Sequence, residues 1–201
     1  MEVKLYLVDV RKLSGYLTGG LALLTPKRRK EAEAFMEEKD RLLHLAAGLL
    51  LRSVLGVTRD DDLVYGEFDK PELADGRIQF SLSHAGHYAV LAVSEHPVGV
   101  DIEPIAKPQV LPRKMLTQEE MKWLEENPSP EDFCILWTRL ESALKAEGCG
   151  LALEAREFSL LKNGKPWYWE MLTHDGHLVT CASDTPFTVQ TEFLHIAQLL
   201  K

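Results

Sequence analysis

Polar and apolar positions along the chain switch between two periods. Met1 to Val10 interleaves Glu2, Lys4 and Asp9 with apolar residues, which predicts a strand. Thr25-Pro26 then has the form of a helix start, a capping hydroxyl followed by proline. From there Phe35, Leu42, Leu45, Ala46, Leu49 and Leu50 recur at helical spacing. A single long helix is expected, ending near Leu55 at Gly56. Turn-rich sequence follows, with Asp60-Asp61-Asp62, Lys70-Pro71 and Asp75-Gly76. Gln79–Ser83 alternates, Tyr88–Val93 is almost wholly apolar, and Val98–Glu103 forms a third run that Pro104 ends. All three read as strands, with His84–His87 as the turn joining the first two.

The second half repeats this order loosely. Prolines at 108 and 112 lead to a capping box at Thr117–Glu120. A helix from about Glu131 carries Phe133, Leu136, Trp137, Leu140 and Leu144 as an apolar stripe and stops at Gly148-Cys149-Gly150. Strands are expected at Glu157–Leu161, Trp167–Leu172, His177–Ala182 and Thr188–Phe193. The fold class is therefore α+β, with a long helix and a few strands in each half. Two related lobes, 1–104 and 105–201, follow from that order, although no literal repeat is present.

Composition narrows the partners. The chain has 201 residues, 45% of them hydrophobic, enough to bury a core. No tract approaches the roughly 18 apolar residues of a membrane span. The start lacks a basic, unbroken apolar leader, so a cytoplasmic protein is expected, with no membrane partner. A net charge of −8 argues against nucleic acid. Three widely spaced cysteines argue against a disulfide scaffold or thiolate metal site.

Four groups carry candidate chemistry. Asp101 and Glu103 are two apart in a strand and leave the same face; they are either a solvated acidic face or a magnesium pair. Glu141 and Lys145 are four apart on a helix, either a surface ion pair or groups holding a metal-bound phosphate. Ser83 and His84 are adjacent and point to opposite faces, so they are not a nucleophile–base pair, but each can donate to a phosphate. Lys27–Lys30 is a solvated basic face or an anion site at a helix start.

Three segments in order, Phe80-Ser81-Leu82-Ser83-His84-Ala85-Gly86, Gly99-Val100-Asp101-Ile102-Glu103 and the run from Trp137 to Leu151, resemble the 4′-phosphopantetheinyl transferases of the surfactin-activating type. The similarity runs from about Thr25 to Leu160. The resemblance implies a pseudo-dimer of two similar lobes, each a long helix on a small antiparallel sheet, with coenzyme A in the cleft between them. It implies magnesium held by Asp101, Glu103 and Glu141, with Lys145 on the pyrophosphate. Ser83 and His84 would meet the nucleotide's phosphates, Lys70-Pro71 would lie beside adenine, and Arg28 and His44 near the 3′-phosphate. The implied reaction moves the phosphopantetheine of coenzyme A to a serine of an acyl or peptidyl carrier protein, releasing 3′,5′-ADP. Glu141, or a base acting through a metal-bound water, would take the serine proton. The second lobe completes the cleft, so a monomer is expected.

Four positions depart from the family pattern. Leu140 stands where lysine is usual, Asp69 where glycine is common, Glu31 where a basic residue would help hold phosphate, and Cys149 in place of a frequent lysine. Leu140, Asp69 and Glu31 motivate a competing reading, a degenerate module that binds coenzyme A or a carrier without turnover. A magnesium-dependent phosphoesterase acting on nucleotides would need only the carboxylates.

Overall fold

The computed structural model describes residues 1–106, 115–150 and 158–201. Pro108, Pro112, Leu151 and the start of the 157–161 run lie outside them. The first strand, β1 (Glu2–Asp9), leads through a 3-10 turn to the short α1 (Leu17–Leu21), then α2 (Pro26–Glu33) and α3 (Glu38–Leu55). β2 (Leu63–Tyr65) and β3 (Pro71–Leu73) form a small ribbon. β4 (Gln79–Ala85), β5 (Tyr88–Ser94) and β6 (Gly99–Pro104) follow. The second half holds α4 (Gln118–Glu126), α5 (Pro130–Glu147), β7 (Tyr168–His174), β8 (His177–Ser183), β9 (Thr188–Phe193) and α6 (Ile196–Leu199).

These elements stack as helix, sheet, sheet, helix. The four-stranded sheet has the order β4-β5-β1-β9, and the three-stranded sheet has the order β6-β8-β7. Leu45, Leu49 and Leu50 of α3 pack on one face of the larger sheet, with Val8, Phe80 and Leu91. Its other face sends Val3, Leu5, Leu7 and Val90 against Val100, Ile102, Val179 and Cys181 of the smaller sheet. The outer face of the smaller sheet packs on Leu136, Leu140 and Leu144 of α5 through Trp169 and Ala182. β5 is covered on both faces, which is why its sequence is almost continuously apolar.

The expected α+β class is observed, and several local expectations change. The long helix from Pro26 is two helices, because α2 buries only Ala32 and has no apolar face to hold it in line with α3. The bend lets the Phe35 ring meet His44 at 4.1 Å, whereas nine residues along a straight helix would separate them by about 13 Å. Residues 158–161 are bend and turn, not strand. β4 continues through Ala85, so the hairpin turn is only Gly86-His87 and His84 is a strand residue. The stripe on α5 is narrower than expected: Leu136, Leu140 and Leu144 are buried, while Phe133 and Trp137 are only partly covered. One strand departs from antiparallel order, since β9 returns from the second half to lie parallel to β1. β6 meanwhile pairs with β8. Strands thus pair across position 104 in both directions.

Candidate active site

β6 positions the chemistry. Its face toward α5 carries Gly99, Asp101 and Glu103, while Val100 and Ile102 point into the core between the sheets. A Cβ on Gly99 would lie 1.8 Å from the carbonyl oxygen of Ser142 and 2.5 Å from the amide of Ala146. No other residue fits, so the glycine sets how closely α5 approaches the strand. That approach brings Glu141 and Lys145, one turn apart on α5, over Asp101.

Asp101 is only 4% exposed. Its Oδ1 accepts from the Lys145 ammonium at 2.6 Å and the Ser83 hydroxyl at 2.8 Å, and Lys145 also donates to Ser83 Oγ at 3.0 Å. Ser81, two residues earlier on β4, accepts the Val100 amide at 3.0 Å and ties β4 to β6. The other carboxylate oxygen, Asp101 Oδ2, is buried with no hydrogen-bond partner among the described residues. Burial pushes the Glu141 carboxyl above the usual carboxylate range; the charges of Asp101 and Glu103 add to the rise and Lys145 opposes it. Cys134 lies beneath the site as a neutral thiol, pushed up to about 12 by burial and by Glu103, Asp101 and Glu131.

Asp101, Glu103, Glu141 and Lys145 share a cavity of about 460 Å³ with Arg28, Glu31, His44, Ser83, His84 and Trp137. Of the residues that the resemblance names, all but Lys70 are therefore brought together, from α2, α3, β3, β4, β6 and α5, with Pro71 among them. Glu141 faces the same space as the other two carboxylates. They do not form a closed cage, however: among the described residues, no group of three or more His, Cys, Asp or Glu side chains stands ready to hold a metal. Lys145, not a third carboxylate, lies on Asp101. The donor set nevertheless fits a small hard cation, being all oxygen and including a buried oxygen that no hydrogen bond uses.

The opposite wall is basic and aromatic. His44 donates from Nδ1 to the Asp40 carbonyl at 3.0 Å, and its Nε2 edge faces away from that bond. Its ring stands 4.8 Å from that of His84. Burial, with smaller contributions from His44 and Lys145, pulls His84 down to about 4, so it is neutral at pH 7 and can donate but not neutralise charge. The Arg28 Nε is buried and unpartnered among the described residues. Glu31 shares this wall, so the departure at that position puts a negative charge beside Arg28.

A second, more apolar cavity of about 230 Å³ adjoins the first through Pro71, Leu82, Glu141 and Lys145, and adds Phe68, Asp69, Phe80 and Leu144. Lys70 lines it, but its ammonium donates to the Ala146 carbonyl at 3.1 Å, near the end of α5. Burial lowers its pKa. Leu140 is fully buried among Leu136, Leu144 and Trp167, so its apolar side chain packs without strain. Asp69 has φ +58°, the conformation glycine takes at no steric cost.

Sequence reasoning missed the spacing role of Gly99, although a glycine inside a strand signals close backbone approach. Thr138 falls inside the motif run from Trp137 to Leu151 without a role of its own, and Thr180 lies outside every motif; these two hydroxyls meet at 2.7 Å behind the site.

A profile of the 4′-phosphopantetheinyl transferase superfamily matches residues 97–184, the stretch that holds Asp101, Glu103, Glu141 and Lys145. The chain is 33% identical over 138 residues to the 4′-phosphopantetheinyl transferase gsp of Aneurinibacillus migulanus, covering 64% of this chain and 58% of that protein. It is 28% identical over 153 residues to the 4′-phosphopantetheinyl transferase Sfp of Bacillus subtilis, covering 70% of this chain and 67% of the relative. A putative 4′-phosphopantetheinyl transferase of Synechocystis is 29% identical over 151 residues, covering 68% and 61%. The match thus spans less than two thirds of the first of these relatives.

Proposed function

We propose that the chain is a member of the 4′-phosphopantetheinyl transferase superfamily, which the match over residues 97–184 and the similar relatives support, and that it transfers the phosphopantetheine group of coenzyme A to a serine of an acyl or peptidyl carrier protein, releasing 3′,5′-ADP. The observation that carries this reading is the single cavity in which Asp101, Glu103, Glu141 and Lys145 face Arg28, His44, Ser83 and His84. One wall suits a cation and the other suits phosphates. Phosphoryl transfer asks mainly for positioning and charge stabilisation, which such a pair of walls supplies.

The serine oxygen of the carrier forms a bond to the β-phosphorus as the bond to the 3′,5′-ADP oxygen breaks. Glu141 takes the serine proton. Lys145, already held by Asp101 and Ser83, offsets charge on the departing nucleotide. Arg28 and His44 hold the 3′-phosphate, and neutral His84 donates to the nucleotide's phosphates. Lys70 acts through the end of α5, while Pro71 and Phe68 offer adenine an apolar surface. Magnesium, held by Asp101, Glu103 and Glu141, would neutralise the pyrophosphate and orient it for in-line displacement. The two sheets, with their helices, serve as the two lobes of the cleft, exchanging β6 and β9 across position 104. We further propose a cytoplasmic monomer; among the described residues no helix is long and apolar enough to cross a membrane.

Incubation with coenzyme A, magnesium and a panel of carrier proteins, read by intact mass and nucleotide analysis, tests the reading. One phosphopantetheine gained per carrier, with an equal yield of 3′,5′-ADP, is expected. Tight coenzyme A binding without transfer to any carrier would make the chain a binding module. Free phosphopantetheine released without a carrier would make it a phosphoesterase.

A further inference from the structure

The hydroxyl pair behind the carboxylates has no part in contacting substrate, yet its placement is specific. Thr138 lies on α5 three residues before Glu141, and Thr180 lies on β8 in register with Asp101. Both are 0% exposed. Their Oγ1 atoms are 2.7 Å apart, and Thr138 Oγ1 is also 2.9 Å from the Cys134 carbonyl. Because that carbonyl only accepts, Thr138 donates to it and Thr180 donates to Thr138. Each hydroxyl hydrogen is thereby used, and the chain of bonds runs from the helix backbone to the sheet. Cross-strand partners share a face, so Thr180 and Asp101 both look toward α5.

We propose that the Thr138–Thr180 hydroxyl bridge is a positioning element for the acidic centre, fixing the rotation and height of α5 so that Glu141 faces Asp101 and Glu103. The inference rests on the transferase reading given above for what that centre does. Gly99 lets α5 approach β6 but cannot stop the helix turning or sliding, since bare backbone contact has little directional preference. A hydrogen bond one turn from Glu141 supplies that direction. Two buried hydroxyls also make a poorer core than two methyl groups of the same shape, so packing alone does not account for them. Outer contacts of this kind typically change metal affinity or activity by about 10–100-fold when removed.

The test uses Thr138→Val, Thr180→Val, the double variant and Thr138→Ser, in the full-length protein. Three readouts are taken: thermal midpoint, the magnesium concentration for half-maximal coenzyme A binding by calorimetry, and kcat and KM for transfer. Thr138→Val is expected to lower the midpoint most, because it strands the buried Thr180 hydroxyl, and Thr180→Val less, because Thr138 still donates to the Cys134 carbonyl. In the double valine variant the midpoint should recover to near wild type while the magnesium requirement stays raised by about 10-fold or more. kcat should fall with it and KM for the carrier should stay unchanged. Thr138→Ser keeps the hydroxyl and should stay near wild type in every readout. A double variant with wild-type magnesium dependence and kcat overturns the proposal, as does a Thr138→Ser protein as impaired as Thr138→Val. A wild-type protein that binds magnesium and coenzyme A but modifies no carrier would instead sink the transferase reading and leave the binding comparison intact.

Discussion

The two walls of the cavity are built in opposite ways. On the acidic wall the framework is tied to the fold: Asp101 Oδ1 receives Lys145 and Ser83, Ser81 holds Val100, and Gly99 locks α5 onto β6, leaving Asp101 Oδ2 without a hydrogen bond among the described residues. On the basic wall Arg28 leaves its Nε unpartnered among the described residues, and His84 is neutral and buried beside His44. The first wall holds its geometry through the fold. The second leaves its donors to a ligand. A catalytic centre for phosphoryl transfer needs rigid placement, whereas a phosphate-binding surface needs unspent hydrogen-bonding capacity, and the molecule divides those tasks between a strand–helix pair and a bent helix.

If the acidic wall depends on close backbone approach, Gly99→Ala should show the largest effect. Its methyl group would overlap the Ser142 carbonyl, costing about 1–3 kcal/mol or more in stability and displacing Glu141. Denaturant unfolding and transfer rate should fall together, and a well-folded, active Gly99→Ala would break the contrast. Asp101→Ala should abolish transfer while coenzyme A still binds weakly through the other wall; calorimetry and intact mass read the two separately.

Effects on the basic wall should be smaller and fall on affinity. Glu31→Gln removes a like charge from the phosphate side and should tighten coenzyme A binding by about two- to fivefold, with kcat unchanged. His84 supplies a pH signature. The unfolded chain takes up its proton near the ordinary histidine value of 6.5, but the folded protein resists until about 4. Its contribution to stability is therefore complete above 6.5 and declines as the pH falls toward 4. The thermal midpoint of the ligand-free protein should drop between pH 6.5 and 5, and His84→Gln should reduce that drop. Smallest of all, Asp69→Gly should raise stability by about 1 kcal/mol at most, since glycine takes the positive φ without strain.

The same contrast explains what could be read from the chain. Asp101 and Glu103 alternate in a strand and Glu141 and Lys145 share a helical turn, so local periodicity put each pair on one face, and only the motif resemblance joined the two pairs. The thick stack of two sheets was also foreshadowed, because β5 is apolar on both faces. The basic wall depends on the bend at residues 34–37, where a charged helix carries no apolar stripe to announce its direction, and on the non-local meeting of Phe35 with His44. Thr180 has no local signature at all; only the register of β8 against β6 places it opposite Asp101. The return of β9 to β1 is likewise a long-range pairing, which the alternation in either strand cannot specify.

Calorimetric titration of coenzyme A into metal-stripped protein, with and without added magnesium, bears most directly on the acidic wall. Magnesium should tighten binding in the wild type and make no difference in Asp101→Asn. Equal affinity with and without the cation in the wild type would contradict a shared metal site at Asp101, Glu103 and Glu141.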